Sequence, residues 1–267
     1  MQVTVLAGGI GAARFLRGLV SATGSTHDKP SVTVIGNTGD DIRLFGLQIC
    51  PDLDSVMYTL GGGADEERGW GRANESFTVL EELRGYGAKP DWFGLGDRDI
   101  ATHLVRTQAL DAGYRLSTVT AGLCERWQLP VSLIPMTDDR VETHVVIDDP
   151  DTGQPAAIHF QEWWVRHRAA VAAREFVYVG SDTASPAPGV LEAITTADVI
   201  VLPPSNPVVS IAPILSIPGI RDAISQAPAA VVGVSPIVGG KPVRGMADAC
   251  LSAIDVDTTS AAVAQHY

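Results

Sequence analysis

The chain has 267 residues, 45% of them apolar and 19% charged, with a formal net charge of −12. That is ample material for a core, and the length allows one composite α/β domain or two smaller ones. Such an acidic surface repels phosphate backbones and anionic lipid, which argues against nucleic acid and membranes as partners.

The chain opens with an apolar β-rich run over 3–7 that ends in Gly8-Gly9, then a helix over 12–20 and a second strand over 31–35 ending at Gly36-Asn37. This β-α-β start predicts a parallel, Rossmann-like sheet. From about 52 to 127 the pattern is mostly helical, with helices over 54–60, 75–83, 100–112 and 118–127. Strands over 131–134, 141–147 and 156–159 follow, the last two joined by the turn residues Asp149-Pro150-Asp151-Thr152-Gly153. A helix over 162–170 comes next. Alternation then returns, with strands over 176–179, 199–202 and 230–234 and helices over 190–197, 208–215, 221–225 and 246–254. Residues 255–267 close no clear element.

The expected organisation is one α/β domain, with core 1–50 and 176–254, a helical insertion over about 52–127, and a strand-rich segment with a small antiparallel hairpin over about 131–160. Residues 199–220 carry no formal charge but five prolines, so they read as buried strand, loop and short helices rather than a spanning helix. MQVTVLAGG lacks a basic n-region, and Cys50, Cys124 and Cys250 show no metal-ligand spacing. Together these predict a cytoplasmic protein with reduced thiols.

Five loops can carry chemistry. Gly8-Gly9-Ile10-Gly11 lies between a strand and a helix, where backbone N–H groups can face a phosphate; a tight turn explains it as well. A dinucleotide fingerprint would need a small residue where Arg14 stands and an acid where the second strand ends in Asn37, so nicotinamide binding is disfavoured. Asn37, Asp40 and Asp41 are followed closely by Asp52 and Asp54. Any one of these acids could be a cap or a solvated side chain, but so many carboxylates on one rim call for a cation, and Mg²⁺ is the natural one. Trp92, Asp97, Arg98 and His103 form a third group, with His103 and Arg106 on one helix face. Pro135-Met136-Thr137-Asp138-Asp139-Arg140 reads as a polar turn leading to Thr143. The fifth group combines Ser205, Asn206 as N-cap with Pro207 behind it, Lys241 and Arg244.

These loops in this order resemble the 2-phospho-L-lactate transferase family of coenzyme F-420 biosynthesis. The resemblance rests on GGIGAARFLRGL, GNTGDD, CPDLDSVMYTLGG, WFGLGDRDIATHLVRT, SLIPMTDDRVETHV, IHFQEWWV, LPPSNPVVSI and VSPIVGGKPVRGMAD, and spans nearly the whole chain. It implies a Mg²⁺-dependent enzyme that moves a phospholactyl or phosphoenolpyruvyl group from a guanosine diphosphate ester to the ribityl hydroxyl of the deazaflavin Fo, releasing GMP. By that resemblance Asp40, Asp52 and Asp54 would hold metal, with Asp40 or Asp54 as catalytic base. Gly8, Gly9, Gly11, Asn37, Ser205, Asn206 and Lys241 would hold the nucleotide, and Asp54, Trp92, Asp97, Arg98 and His103 the deazaflavin. Members look dimeric and continue past the point matching Gln265-His266-Tyr267 with another strand and helix. The rival readings are a non-catalytic regulator of the wider superfamily that binds nucleotide-sugar-like diphosphates, and a nicotinamide or flavin oxidoreductase.

Overall fold

A computed structural model describes residues 1–23 and 29–267. Its strands are β1 (Gln2–Ala7), β2 (Ser31–Gly36), β3 (Ile42–Leu44), β4 (Leu47–Ile49), β5 (Ser132–Pro135), β6 (Glu142–Asp148), β7 (Pro155–His159), β8 (Ala173–Val179), β9 (Val199–Leu202), β10 (Ala230–Gly233), β11 (Ile237–Val238) and β12 (Lys241–Pro242). The α-helices are α1 (Gly9–Thr23), α2 (Pro51–Leu60), α3 (Thr78–Gly85), α4 (Asp97–Asp111), α5 (Leu116–Trp127), α6 (Val190–Thr195), α7 (Ala212–Ser216), α8 (Ile220–Gln226), α9 (Ala247–Ser252) and α10 (Ser260–His266).

β1 explains the architecture. Val3, Val5 and Ala7 point to one side and Leu6 to the other, and all are buried. A strand apolar on both faces belongs inside a parallel sheet with helices on either side. β1 indeed lies at the centre of a five-stranded parallel sheet in the order β10-β9-β1-β2-β5. One face packs on α1, α2 and α5 through Leu16, Leu53, Val56 and Leu123. The other packs Leu6, Ile35 and Ile200 on Ile194, Ile214 and Ile220. A separate antiparallel sheet, β7-β6-β8, buries Val145, Ile147, Phe176 and Trp163 against Val208, Leu251 and Val263.

Several segments depart from the sequence expectation; among them, the strand expected over 131–134 joins the main parallel sheet as β5, that over 176–179 joins the antiparallel sheet as β8, and 237–242 form the β11–β12 hairpin. The helix expected over 162–170 is a single π-helical turn, Glu162–Arg166, stopped by left-handed Arg168 and Ala169. That expected over 208–215 starts as the π turn Pro207–Ile211 before α7. Pro213 has no N–H to close an ordinary α turn there. The β3–β4 hairpin was not foreseen: its turn residues Phe45 (φ 53°) and Gly46 (φ 78°) both take positive φ, and phenylalanine gives no hint of that. Residues 255–267 do close an element, since the Thr259 hydroxyl accepts from Ala262 N at 3.0 Å and caps α10.

Among the described residues no single helix is long and apolar enough to cross a membrane. The segments Pro207–Ser216 and Ile220–Gln226 reach that apolarity together, but they bend by 88°.

Candidate active site

The connection from β1 leads to β2 on one side, and that from β9 leads to β10 on the other. The strand order therefore reverses between β1 and β9, and the crevice beyond their carboxyl ends is where open α/β sheets bind ligands. Residues 8–11, 36–41 and 203–206 all fall there. The glycines are needed for close approach. A Cβ on Gly11 would lie 2.5 Å from the Pro204 carbonyl oxygen, and one on Gly8 would lie 2.5 Å from Ser210 Cβ. Ser205 Oγ donates to the Gly8 carbonyl at 2.9 Å, tying the first and last of these loops together. Asn206 Oδ1 accepts from Val208 N and Val209 N, the N-cap its place before Pro207 predicts.

Two acidic clusters meet this crevice. The first joins Asp40, Asp41 and Asp52, all buried, around Asn37. Asn37 Nδ2 donates to Asp52 Oδ2 at 2.8 Å and to the Val209 carbonyl at 3.2 Å, while its Oδ1 accepts from Gly39 N at 2.8 Å. Asp52 also closes on the glycine turn: a Cβ on Gly9 would lie 3.3 Å from its Oδ1, and one on Gly8 2.9 Å from its Oδ2. A carboxylate thus sits at the N-terminus of α1, where the glycine loop suggested a phosphate. Burial pushes Asp52 up to about 7, against the Asn37 side chain and the Gly9 backbone. Burial, then the charges of Asp52 and Asp41, raise Asp40 well above the usual carboxylate range. Burial likewise raises Asp41, which Cys50 and Arg106 oppose. Asp40 Oδ1, Asp41 Oδ1, Thr38 Oγ1 and Thr143 Oγ1 are buried without a hydrogen-bond partner.

Residues two apart on a helix are about 200° apart around it, so Asp54 points away from Asp52. It meets α4 instead. Arg106 Nη1 donates to Asp54 Oδ2 at 3.1 Å, and Nη2 makes a short ion pair with Oδ1. His103 Nδ1 lies 3.2 Å from Arg106 Nη1 and 3.7 Å from Asp54 Oδ2. His103 Nε2 lies 3.4 Å from Asp99 Oδ1, which also accepts from Tyr58 OH at 2.6 Å. Burial alone would lower the Arg106 pKa; Asp54, Cys50 and Tyr58 together more than offset this, and the net direction is upward.

The spacing of Asp99, His103 and Arg106 on α4 was visible in the sequence, at i, i+4 and i+7. Their partners Asp54 and Tyr58 on α2 were not, because only the fold sets α2 against α4. The remaining expected site residues make other contacts. Asp97 caps α3, accepting from Thr78 N, Val79 N and Ser76 Oγ. Trp92 packs edge-on against Phe93, its ring centroid 5.9 Å away. Arg98 is exposed, and its carbonyl accepts from Arg72 Nη1. Lys241 is exposed on the β11–β12 hairpin.

Which cluster suits a metal can be judged from the donors. Asp54, Asp99 and His103 can bring ligand atoms within 4.8 Å of one another. Both Asp54 oxygens, however, already face the Arg106 cation, and Tyr58 donates to Asp99. The first cluster offers only oxygen donors, several of them buried and unpartnered, which is the kind a hard divalent cation takes, although its three carboxylates are not gathered within the 4.8 Å that Asp54, Asp99 and His103 reach.

A doubly wound α/β sheet with a glycine turn and buried carboxylates at its switch point defines a class of open-sheet proteins that take their ligands in this crevice. Within it, the chain belongs to the family described as 2-phospho-L-lactate transferase CofD, whose model matches residues 3–267. A Thermobifida fusca relative named phosphoenolpyruvate transferase is 65% identical over 271 residues, covering 100% of this chain and 83% of its own. Relatives of the same name from Streptomyces griseus and Mycolicibacterium smegmatis are 64% and 58% identical, each covering 100% of this chain and 82% and 83% of their own. The crystal structure of protein BH3568 from Bacillus halodurans is similar in fold: TM-score 0.61 at 22% identity, over 95% of this chain and 75% of that one.

Proposed function

We propose that this chain transfers a phosphoenolpyruvyl group from a guanosine diphosphate ester to the ribityl hydroxyl of Fo, with phospholactyl as the alternative cargo. Relatives at 57–65% identity support the first acid by their name, and the family description supports the second. In the reaction the hydroxyl oxygen bonds to the phosphorus that bears the acid, the bridge to GMP breaks, and the hydroxyl proton passes to a carboxylate.

The observation that carries this reading is the group of buried, unpartnered oxygens on Asp40, Asp41, Thr38 and Thr143, beside Asp52 and the glycine turn. Asp40 and Asp52 would hold Mg²⁺, which when bound would offset charge on the diphosphate. Gly8, Gly9, Gly11, Asn37, Ser205, Asn206 and Lys241 would hold the guanosine diphosphate part. Trp92, Asp97, Arg98 and His103 would serve the deazaflavin side, and Asp54 would accept the hydrogen bond of the attacking hydroxyl. The test is Fo with each ester, with and without Mg²⁺, read by mass spectrometry. The reading expects a phosphodiester and GMP only with metal; nucleotide binding without any Fo adduct would overturn it.

A further inference from the structure

Among the described residues the buried acidic side chains are Asp40, Asp41, Asp52, Asp54 and Asp99, and beside them are buried one arginine, Arg106, and one histidine, His103. Arg106 is 1% exposed and gives two of its donors to a single partner, Asp54. Two parallel N–H···O contacts fix a carboxylate in plane and in rotation, which one ammonium could not do. Removing one member of such a pair usually leaves the other's charge stranded, so these two residues act as a unit. His103 flanks the arrangement, its Nδ1 3.2 Å from Arg106 Nη1 and its Nε2 3.4 Å from Asp99 Oδ1 without completing a hydrogen bond.

We propose that Arg106 is the positioning residue of this site: its two-point pair holds Asp54 as the acceptor for the attacking hydroxyl and keeps Asp54 out of the metal's ligand set. This rests on the transferase reading above. A carboxylate already facing a guanidinium through both oxygens repays a divalent cation poorly, whereas Asp40 and Asp41 each have a buried oxygen with no partner. The cation requirement therefore falls on the cluster around Asn37, and the orientation requirement falls on α4.

The experiment compares the wild type with Arg106→Lys, Asp54→Asn and Asp52→Asn, each checked for folding by thermal melting. Mn²⁺ binding is followed by electron paramagnetic resonance, alongside steady-state turnover of Fo. Expected are Mn²⁺ affinity within about twofold of wild type in Arg106→Lys and Asp54→Asn, and loss of binding in Asp52→Asn. Arg106→Lys should lower kcat by about tenfold or more with a far smaller change in the KM for the donor, since misplacing a reacting group acts mainly on the chemical step. Retention of full kcat by a folded Arg106→Lys would overturn the positioning role. Weakening of Mn²⁺ binding by about tenfold in Asp54→Asn would overturn the exclusion of Asp54 from the metal. If Arg106→Lys does not fold, Asp54→Asn alone decides the metal assignment. If the wild type makes no adduct with Fo, the transferase reading fails, while the Mn²⁺ comparison still tests the division between the two clusters.

Discussion

Asp52 concentrates the chemistry of the first cluster in one side chain. Its carboxyl is pushed from the ordinary 3.8 up to about 7, so between those values the native protein binds a proton that the unfolded chain releases. The stability this group contributes is fully present below its unfolded pKa and is lost as pH rises through about 7. Metal-free protein should therefore lose thermal stability between about pH 4 and 7, and Asp52→Asn should flatten that slope. At the proposed metal site protons and Mg²⁺ would compete for the same oxygens, so protection by Mg²⁺ should grow over that range; calorimetry with and without the ion checks both trends. Asp52→Asn should also reduce turnover on the order of 100-fold or more. The sequence made this cluster legible, because GNTGDD and PDLD follow one strand closely. It did not reveal that Asp52 and Asp54 face different neighbours. That division depends on the helical phase of α2 and on α4 lying beside it.

At the scale of elements, close approach decides what the glycine turn tolerates. Gly11→Ala would drive a Cβ into the Pro204 carbonyl, backbone that has no flexible end to yield. The loops after β1 and β9 must then separate, at a cost of about 1–3 kcal/mol by analogy with overpacked cores. A lower Tm together with a raised KM for the nucleotide is the expected pair of results. Asp97 gives the contrasting case. It caps α3 through two backbone donors, so Asp97→Ala should lower Tm by a few degrees and leave Mg²⁺ affinity unchanged in a titration. The alternating and periodic segments of the sequence placed the main strands and most helices. The β3–β4 hairpin escaped because Phe45 adopts positive φ, which only the surrounding fold can enforce.

Across the whole molecule, the antiparallel sheet supports the crevice from a distance. Thr143 N on β6 donates to the Gly39 carbonyl at 2.6 Å, and His159 Nε2 lies 3.1 Å from the Asp41 carbonyl. The turn carrying two of the buried acids is thus held by a sheet whose own core centres on Trp163, which is 0% exposed and donates to the Val171 carbonyl. Trp163→Ala should destabilise the protein by about 3–5 kcal/mol. In the fraction that remains folded, Mg²⁺ affinity should fall although no acid has been touched; denaturant titration and metal binding on the same sample measure both. The sequence showed β6 and β7 as a hairpin, but not that β8 joins them or that the three buttress the turn after β2. That arrangement is a matter of long-range pairing, beyond the reach of local pattern.

The approach of Asp52 to the glycine turn has a consequence for the order of events. The helix end that would greet an incoming diphosphate is already answered by a carboxylate of the protein itself. A bare diphosphate arriving there meets like charge; one that arrives with, or after, a divalent cation does not. On the proposed reading, admission of the nucleotide would be conditional on the ion, as in a lock whose second key turns only once the first is in place.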